Sequence, residues 1–187
     1  MIKYIITDFD GTLVDTREAN KRAYEQVFRE AGYKFDAASY DTLFGLRIDD
    51  LCNKMNIDPK DRVFIKRRKA EVYPSYFCII KLNYALLNLL RLAKKNNIGI
   101  ALASTASRKN IHNVLEYFGL KDLFNSIVAG EDVINGKPSG DVYKTAMTMI
   151  GAKDTDEVLV FEDSEVGVTA AQNAGINNIT KFYTWNS

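Results

Sequence analysis

Four groups of side chains in this sequence have the types and spacing to do chemistry together, and each follows a short apolar run. Asp8 and Asp10 stand two apart in "TDFDGT", directly after "YII". In an extended strand residues i and i+2 point to one side, so both carboxylates can face one spot at the strand's carboxyl end. Two such acids cannot both ionise freely unless a divalent cation or a shared proton relieves their repulsion. Glu162 and Asp163 follow "VLVF", and hard oxygen donors at a strand end suit Mg²⁺. Lys137 precedes a proline in "INGKPSGDVY", and a compact ammonium on a loop can offset the charge of nearby acids. Ser104, with Thr105 beside it, closes "IALAST", where a hydroxyl and backbone N–H groups at a helix start can cradle phosphate. Each feature has an ordinary alternative: an Asp-Gly turn, an acidic first helical turn, a solvated lysine and a serine N-cap.

The elements that must position these groups follow from apolar patterning. Continuous apolar, β-branched runs at 4–7, 98–103, 126–130, 157–161 and 178–183 read as strands buried on both faces. Between them, 84–96, 107–119, 141–151 and 165–175 carry helical periodicity, with lysines near the end of the first and glycines closing the others. Strand alternating with helix predicts an α/β fold, a Rossmann-like parallel sheet with helices on both faces. Residues 17–81 interrupt this alternation with an almost wholly helical stretch, far longer than the dozen or so residues of an ordinary crossover. The reading is a core domain over 1–16 and 82–187, with a helical cap inserted at 17–81 on hinges near 14–17 and 78–83.

Bulk properties exclude several classes. The chain has 187 residues, 47% hydrophobic and 26% charged, with a net charge of +1, so it lacks the basic surplus of a nucleic-acid binder. Cys52 and Cys78 fit no metal-ligand spacing, and two thiols without a disulfide pattern suit a reducing, cytoplasmic setting. The opening "MIKYIITDFD" reaches an acid too soon for a signal peptide, and no apolar run approaches membrane-spanning length. The expectation is a soluble protein without nucleic-acid or membrane partners, acting on a small molecule as a monomer or weak dimer. The segment "FYTWNS" follows the last strand closely.

The motif "DFDGT" at the end of the first strand, "IALAS", the Lys137-Pro138 pair and "FEDS", in this order, resemble the haloacid dehalogenase superfamily, specifically its phosphohydrolase branch with a small helical cap. The resemblance covers roughly residues 1–16 and 82–185. It implies that Asp8 is the nucleophile and becomes an aspartyl-phosphate. It implies that Asp10 acts as general acid and then general base, with its backbone carbonyl on Mg²⁺. Ser104 and Thr105 match the phosphate-binding strand end, Lys137 the charge-balancing lysine, and Asp163 and Glu162 the carboxylates on the metal together with Asp8. Gly140 stands where relatives often have a second proline, which would loosen the loop. Ser164 or Gly167 would serve the turn into the last helix. Halide removal needs neither magnesium nor a second acid two positions on, so the implied activity is Mg²⁺-dependent hydrolysis of a small organic phosphate ester.

Within the insert, "LFGLRIDDL" resembles the family's substrate-specificity stretch. Arg47 there is a candidate for a second anionic group on the substrate, or else a surface arginine paired with Asp49 or Asp50. The run 66–71, "KRRKAE", reads as a solvated helix face, His112 as solvent-facing, and Tyr24, Val27, Phe28 and Phe64 as packing of the cap. The rival activity is a β-phosphoglucomutase-like phosphosugar mutase. Such mutases carry a histidine early in the cap, where this chain has Asn20, and a Pro-Gly before the core resumes, where it has "CIIKLN". A rival of another class is a non-catalytic phosphate-ligand-binding domain, against which the intact acids and lysine argue.

Overall fold

A computed structural model describes residues 1–36, 40, 43, 44, 46, 48–182 and 185. The chain divides into two compact units, Met1–Asp15 with Leu82–Ser187, and Thr16–Lys81. The first unit is built on strands β1 (Tyr4–Thr7), β4 (Gly99–Ala103), β5 (Ser126–Val128), β6 (Val158–Glu162) and β7 (Ile179–Lys181); two short strands, β2 (Val14–Asp15) and β3 (Lys81–Leu82), fall between β1 and β4 in the chain. The five form one parallel sheet in the order β5-β4-β1-β6-β7. Central β1 and β4 are apolar on both faces because helices cover both: Ile6, Ala101, Leu102 and Ala103 are fully buried. The strand expected over 126–130 stops at Val128, because Gly130 opens a 3-10 turn, Gly130–Asp132.

Helices α4 (Tyr84–Lys95), α5 (Arg108–Tyr117), α6 (Asp141–Ile150) and α7 (Glu165–Asn173) connect these strands. α4 buries Leu86, Leu87, Leu90 and Ala93, a stripe at helical spacing, and ends on Lys94 and Lys95. Asn83, Ser107 and Ser164 cap α4, α5 and α7, their side chains accepting from the N–H groups of Leu86, Asn110 and Gly167. Gly151 stops α6 in the left-handed conformation, φ 77°. His112 departs from its expected place. It is half-buried on α5, and its Nε2 is shielded, without a hydrogen-bond partner among the described residues.

Register fixes what meets at the carboxyl edge. Thr7 pairs with Leu102 on one side and Phe161 on the other. The next residues along the three strands are therefore Asp8, Ala103 and Glu162, followed by Ser104 and Asp163 one step later.

The second unit contains α1 (Arg17–Glu30), α2 (Ile48–Lys54), α3 (Pro59–Val72) and a 3-10 segment, Tyr73–Ile79. Tyr24, Val27 and Phe28 are buried on α1, and Tyr24–Phe28 and Phe28–Phe35 stack with ring centroids 5.9 Å and 5.6 Å apart. Phe64, expected in this packing, is instead exposed. Nor is "KRRKAE" uniformly solvated. Lys66 and Arg68 pair with Asp49 and Glu30, but Lys69 is buried, its Nζ donating to Asn20 Oδ1 at 2.7 Å and lying 3.9 Å from the Tyr73 ring centroid. The helical period explains this, since 65, 69 and 72 form one face and Ile65 and Val72 are buried on it. Arg47 lies outside the described residues.

Candidate active site

β1 delivers Asp8 as its first residue past the strand, buried at 6% exposure. The chain then turns at once: Gly11 N–H donates to Val14 O at 2.8 Å, and Asp10 bridges to Val14. Gly11 is required here twice over. Its φ is +94°, and a Cβ would collide with the Asp163 carboxylate, 2.2 Å from Oδ2. Asp10 is half-buried in this turn.

From β6 come Glu162, fully buried, and Asp163, whose Oδ1 accepts from the Thr12 hydroxyl at 3.1 Å. Lys137 enters from the loop before α6, and its Nζ donates to Asp8 Oδ1 and to Glu162 Oε1, each at 2.5 Å. The loop is anchored by Asn173 Nδ2 on Pro138 O at 2.9 Å and by Ser139 on Asp141 at 2.7 Å. Gly140 stands against the end of α7. A Cβ there would lie 2.7 Å from the Asn173–Ala174 backbone, so the bare glycine is what lets α6 start against the end of α7.

Ser104 is buried at 2% exposure and its Oγ accepts from Ala106 N–H at 3.0 Å, so the hydroxyl shapes the turn after β4. Thr105 follows half-buried, its carbonyl so close to Gly130 that no Cβ would fit there. Of the two candidates for the turn into α7, Ser164 is the cap. Gly167 has another task, because a Cβ on it would overlap the Glu162 carboxylate.

The electrostatics are those of a site short of positive charge. Oxygens of Asp8, Glu162 and Asp163 lie within 4.8 Å of one another, and Lys137 is the one cation bonded to them among the described residues. Burial pushes the Asp8 carboxyl well above the usual carboxylate range, against the pull of Lys137. Burial and the neighbouring Glu162 charge raise Asp163 to about 6. For Glu162 burial acts in the same direction but is outweighed by Lys137 and by hydrogen bonds, so it is held low. Lys137 keeps its proton, since the surrounding acids outweigh its own burial. A cluster of hard oxygens with surplus negative charge is the donor set that Mg²⁺ takes. The residues fit that ion.

Two residues at the site carried no functional signal in the sequence. Tyr143 reads as one more core aromatic on α6, and Trp185 as tail. Yet Tyr143 OH donates to Glu162 Oε1 at 2.8 Å, and Trp185 Nε1 donates to Gly11 O at 2.7 Å. Only the tertiary placement distinguishes them from packing residues.

The family model for haloacid dehalogenase-like hydrolases matches residues 5–181. The chain is 28% identical to the phosphorylated carbohydrates phosphatase of Thermotoga maritima, covering 94% of this chain and 82% of that protein. It is 26% identical to the β-phosphoglucomutase of Bacillus subtilis, covering 94% and 81%. Among solved structures, CbbY from Rhodobacter sphaeroides in complex with phosphate superposes at a TM-score of 0.87 with 28% identity, over 100% of this chain and 90% of that one. A mutant of CbbY in complex with xylulose-1,5-bisphosphate gives a TM-score of 0.86 at 28% identity, over 98% and 88%.

Proposed function

The chain belongs to the haloacid dehalogenase-like hydrolase family, and on that premise we propose that it hydrolyses a small phosphate ester through an aspartyl-phosphate on Asp8. Phosphorylated carbohydrates are the substrate class to which its phosphatase relative and the CbbY complex point. The observation that carries the reading is the convergence of Asp8, Lys137, Glu162 and Asp163, far apart in sequence, within hydrogen-bonding or metal-bridging distance.

In the first half-reaction an Asp8 oxygen attacks phosphorus, and the ester oxygen leaves with a proton from Asp10. Water then attacks the aspartyl-phosphate while Asp10 takes back a proton, releasing phosphate and restoring Asp8. Lys137 lies against Asp8 and offsets the charge brought together as carboxylate meets phosphate dianion. Ser104 and Thr105, with the N–H groups of their turn, line the phosphate position. Asp8, Asp163 and the Asp10 carbonyl would hold Mg²⁺, with the Glu162 charge behind them, and the ion when bound neutralises this cluster and polarises the phosphoryl group. Arg47 is the candidate for a second anionic group on the substrate.

The test is phosphate release from p-nitrophenyl phosphate and a panel of sugar phosphates. Wild type should require Mg²⁺ and lose activity in EDTA, while Asp8→Asn should retain its circular dichroism and release no phosphate. Near-normal turnover by Asp8→Asn would overturn the assignment. The mutase alternative is disfavoured by Asn20, a neutral amide held by Lys69 and 3.4 Å from the Tyr73 hydroxyl. Bisphosphate-dependent isomerisation without phosphate release would reinstate it.

A further inference from the structure

Lys137 sits on a loop, and a lysine stem carries about 2 kcal/mol of rotamer entropy that something must absorb before the ammonium can act from one fixed place. Its Nζ is fixed by two carboxylates, Asp8 and Glu162, and only Glu162 has no expected part in bond making. What fixes Glu162 therefore fixes the lysine.

Glu162 is surrounded by five donors. Oε2 accepts from Asp163 N–H at 3.0 Å, Ser164 N–H at 3.1 Å and Ser164 Oγ at 3.2 Å. Oε1 accepts from Lys137 at 2.5 Å and from Tyr143 OH at 2.8 Å. A carboxylate offers about four lone-pair positions, so this one is fully engaged. Gly167 closes against it from behind, leaving no room even for a methyl group. Of the five donors, Ser164 and the two amides hold the far oxygen. Among the described residues, Tyr143 alone shares Oε1 with the lysine.

Among the described residues, Glu162 is the one hydrogen-bond partner of the Tyr143 hydroxyl. The side chain is fully buried in the apolar cluster beneath the sheet, with Ile6, Ala101, Val128 and Val160. Phenylalanine would fill that space without burying a polar group, which is costly unless it is bonded. The ring also lies 5.1 Å from Lys137 Nζ, close enough to attract the ammonium by its face. We infer that Tyr143 is a positioning residue: its hydroxyl orients Glu162 Oε1, and hydroxyl and ring together hold the Lys137 ammonium against Asp8 before substrate arrives. This rests on the phosphatase reading for its kinetic consequence, but the holding itself is a property of the free protein.

Tyr143→Phe tests it, because the ring stays and only the hydroxyl goes. The prediction is a fall in kcat of about tenfold on p-nitrophenyl phosphate at saturating Mg²⁺, as befits one hydrogen bond to a charged group. KM and Mg²⁺ affinity should stay within about twofold of wild type. The second readout is the ¹H–¹⁵N correlation of the Lys137 ammonium in free protein: visible in wild type, where exchange is restrained, and broadened away in Tyr143→Phe. A purely structural tyrosine would lower Tm and leave both readouts alone. Loss of the ammonium signal with unchanged kcat overturns the inference, and so does a fall in kcat with the signal intact. If wild type hydrolyses no phosphate ester, the functional reading fails, and the ammonium signal alone still decides whether Tyr143 holds Lys137.

Discussion

Replacing Lys137 with methionine isolates what the ammonium does, since methionine keeps most of the stem and removes the charge. The side chains of Lys137, Asp8 and Glu162 are 9%, 9% and 1% exposed, so the two carboxylates would be left buried without their cation. Removing one partner of a buried ion pair typically costs about 3–5 kcal/mol, because the remaining charge has lost both water and its counter-ion. For a chain of this length each kcal/mol lowers Tm by about 2–4 °C, so the variant should melt about 6–20 °C below wild type in EDTA. The loss should also grow with pH. Without Lys137 the buried Asp8 carboxyl rises further above its unfolded value, so the folded state binds the extra proton and stability falls as pH increases. Differential scanning calorimetry at pH 5 and pH 8, with and without Mg²⁺, measures both effects, and Mg²⁺ should restore part of the loss. A variant within about 1 kcal/mol of wild type at pH 8 in EDTA would refute the argument that the ammonium is what makes this acid cluster tolerable.

Gly167→Ala should drive a methyl group into the Glu162 carboxylate, costing about 1–3 kcal/mol by denaturant unfolding and at least tenfold in kcat as Lys137 is displaced. Metal-free wild type should be less stable at pH 7 than at pH 5. Asp163 rises from 3.8 to about 6 on folding, so its contribution is present at low pH and fades as pH climbs through 6, by about 1–2 kcal/mol once its partial exposure is allowed for. Saturating Mg²⁺ should abolish that difference, which chemical unfolding at the two pH values reads directly. Because Trp185 is the single tryptophan and its indole donates to Gly11 O beside the acids, Mg²⁺ titration should change the intrinsic fluorescence; an unchanged spectrum on loading counts against that contact.

Much of this was legible because it is local. Apolar runs such as "YII" and "IALA", alternating with helical patterns, read as strands of a doubly covered parallel sheet, and the acids and serine that follow them therefore sit at its carboxyl edge. Ser107 and Ser164 capping their helices, and Gly151 ending α6, are likewise decisions made within a few residues. Four basic residues in a row read as solvated, whereas the helical period puts one of them, Lys69, with Ile65 and Val72. His112, among polar neighbours in sequence, reads as solvent-facing, whereas the fold half-buries it.

What the sequence alone determined is the inventory of charged groups and the edge they occupy, because strand burial and helix capping depend on neighbours a few positions away. What the tertiary structure decided is how those groups divide the work. Lys137 reaches Asp8 across 129 positions of chain, Glu162 spends its oxygens on Lys137, Tyr143 and Ser164, and Gly11 and Gly140 are fixed by side chain and backbone of distant segments. These are contacts through space, and no local pattern encodes them.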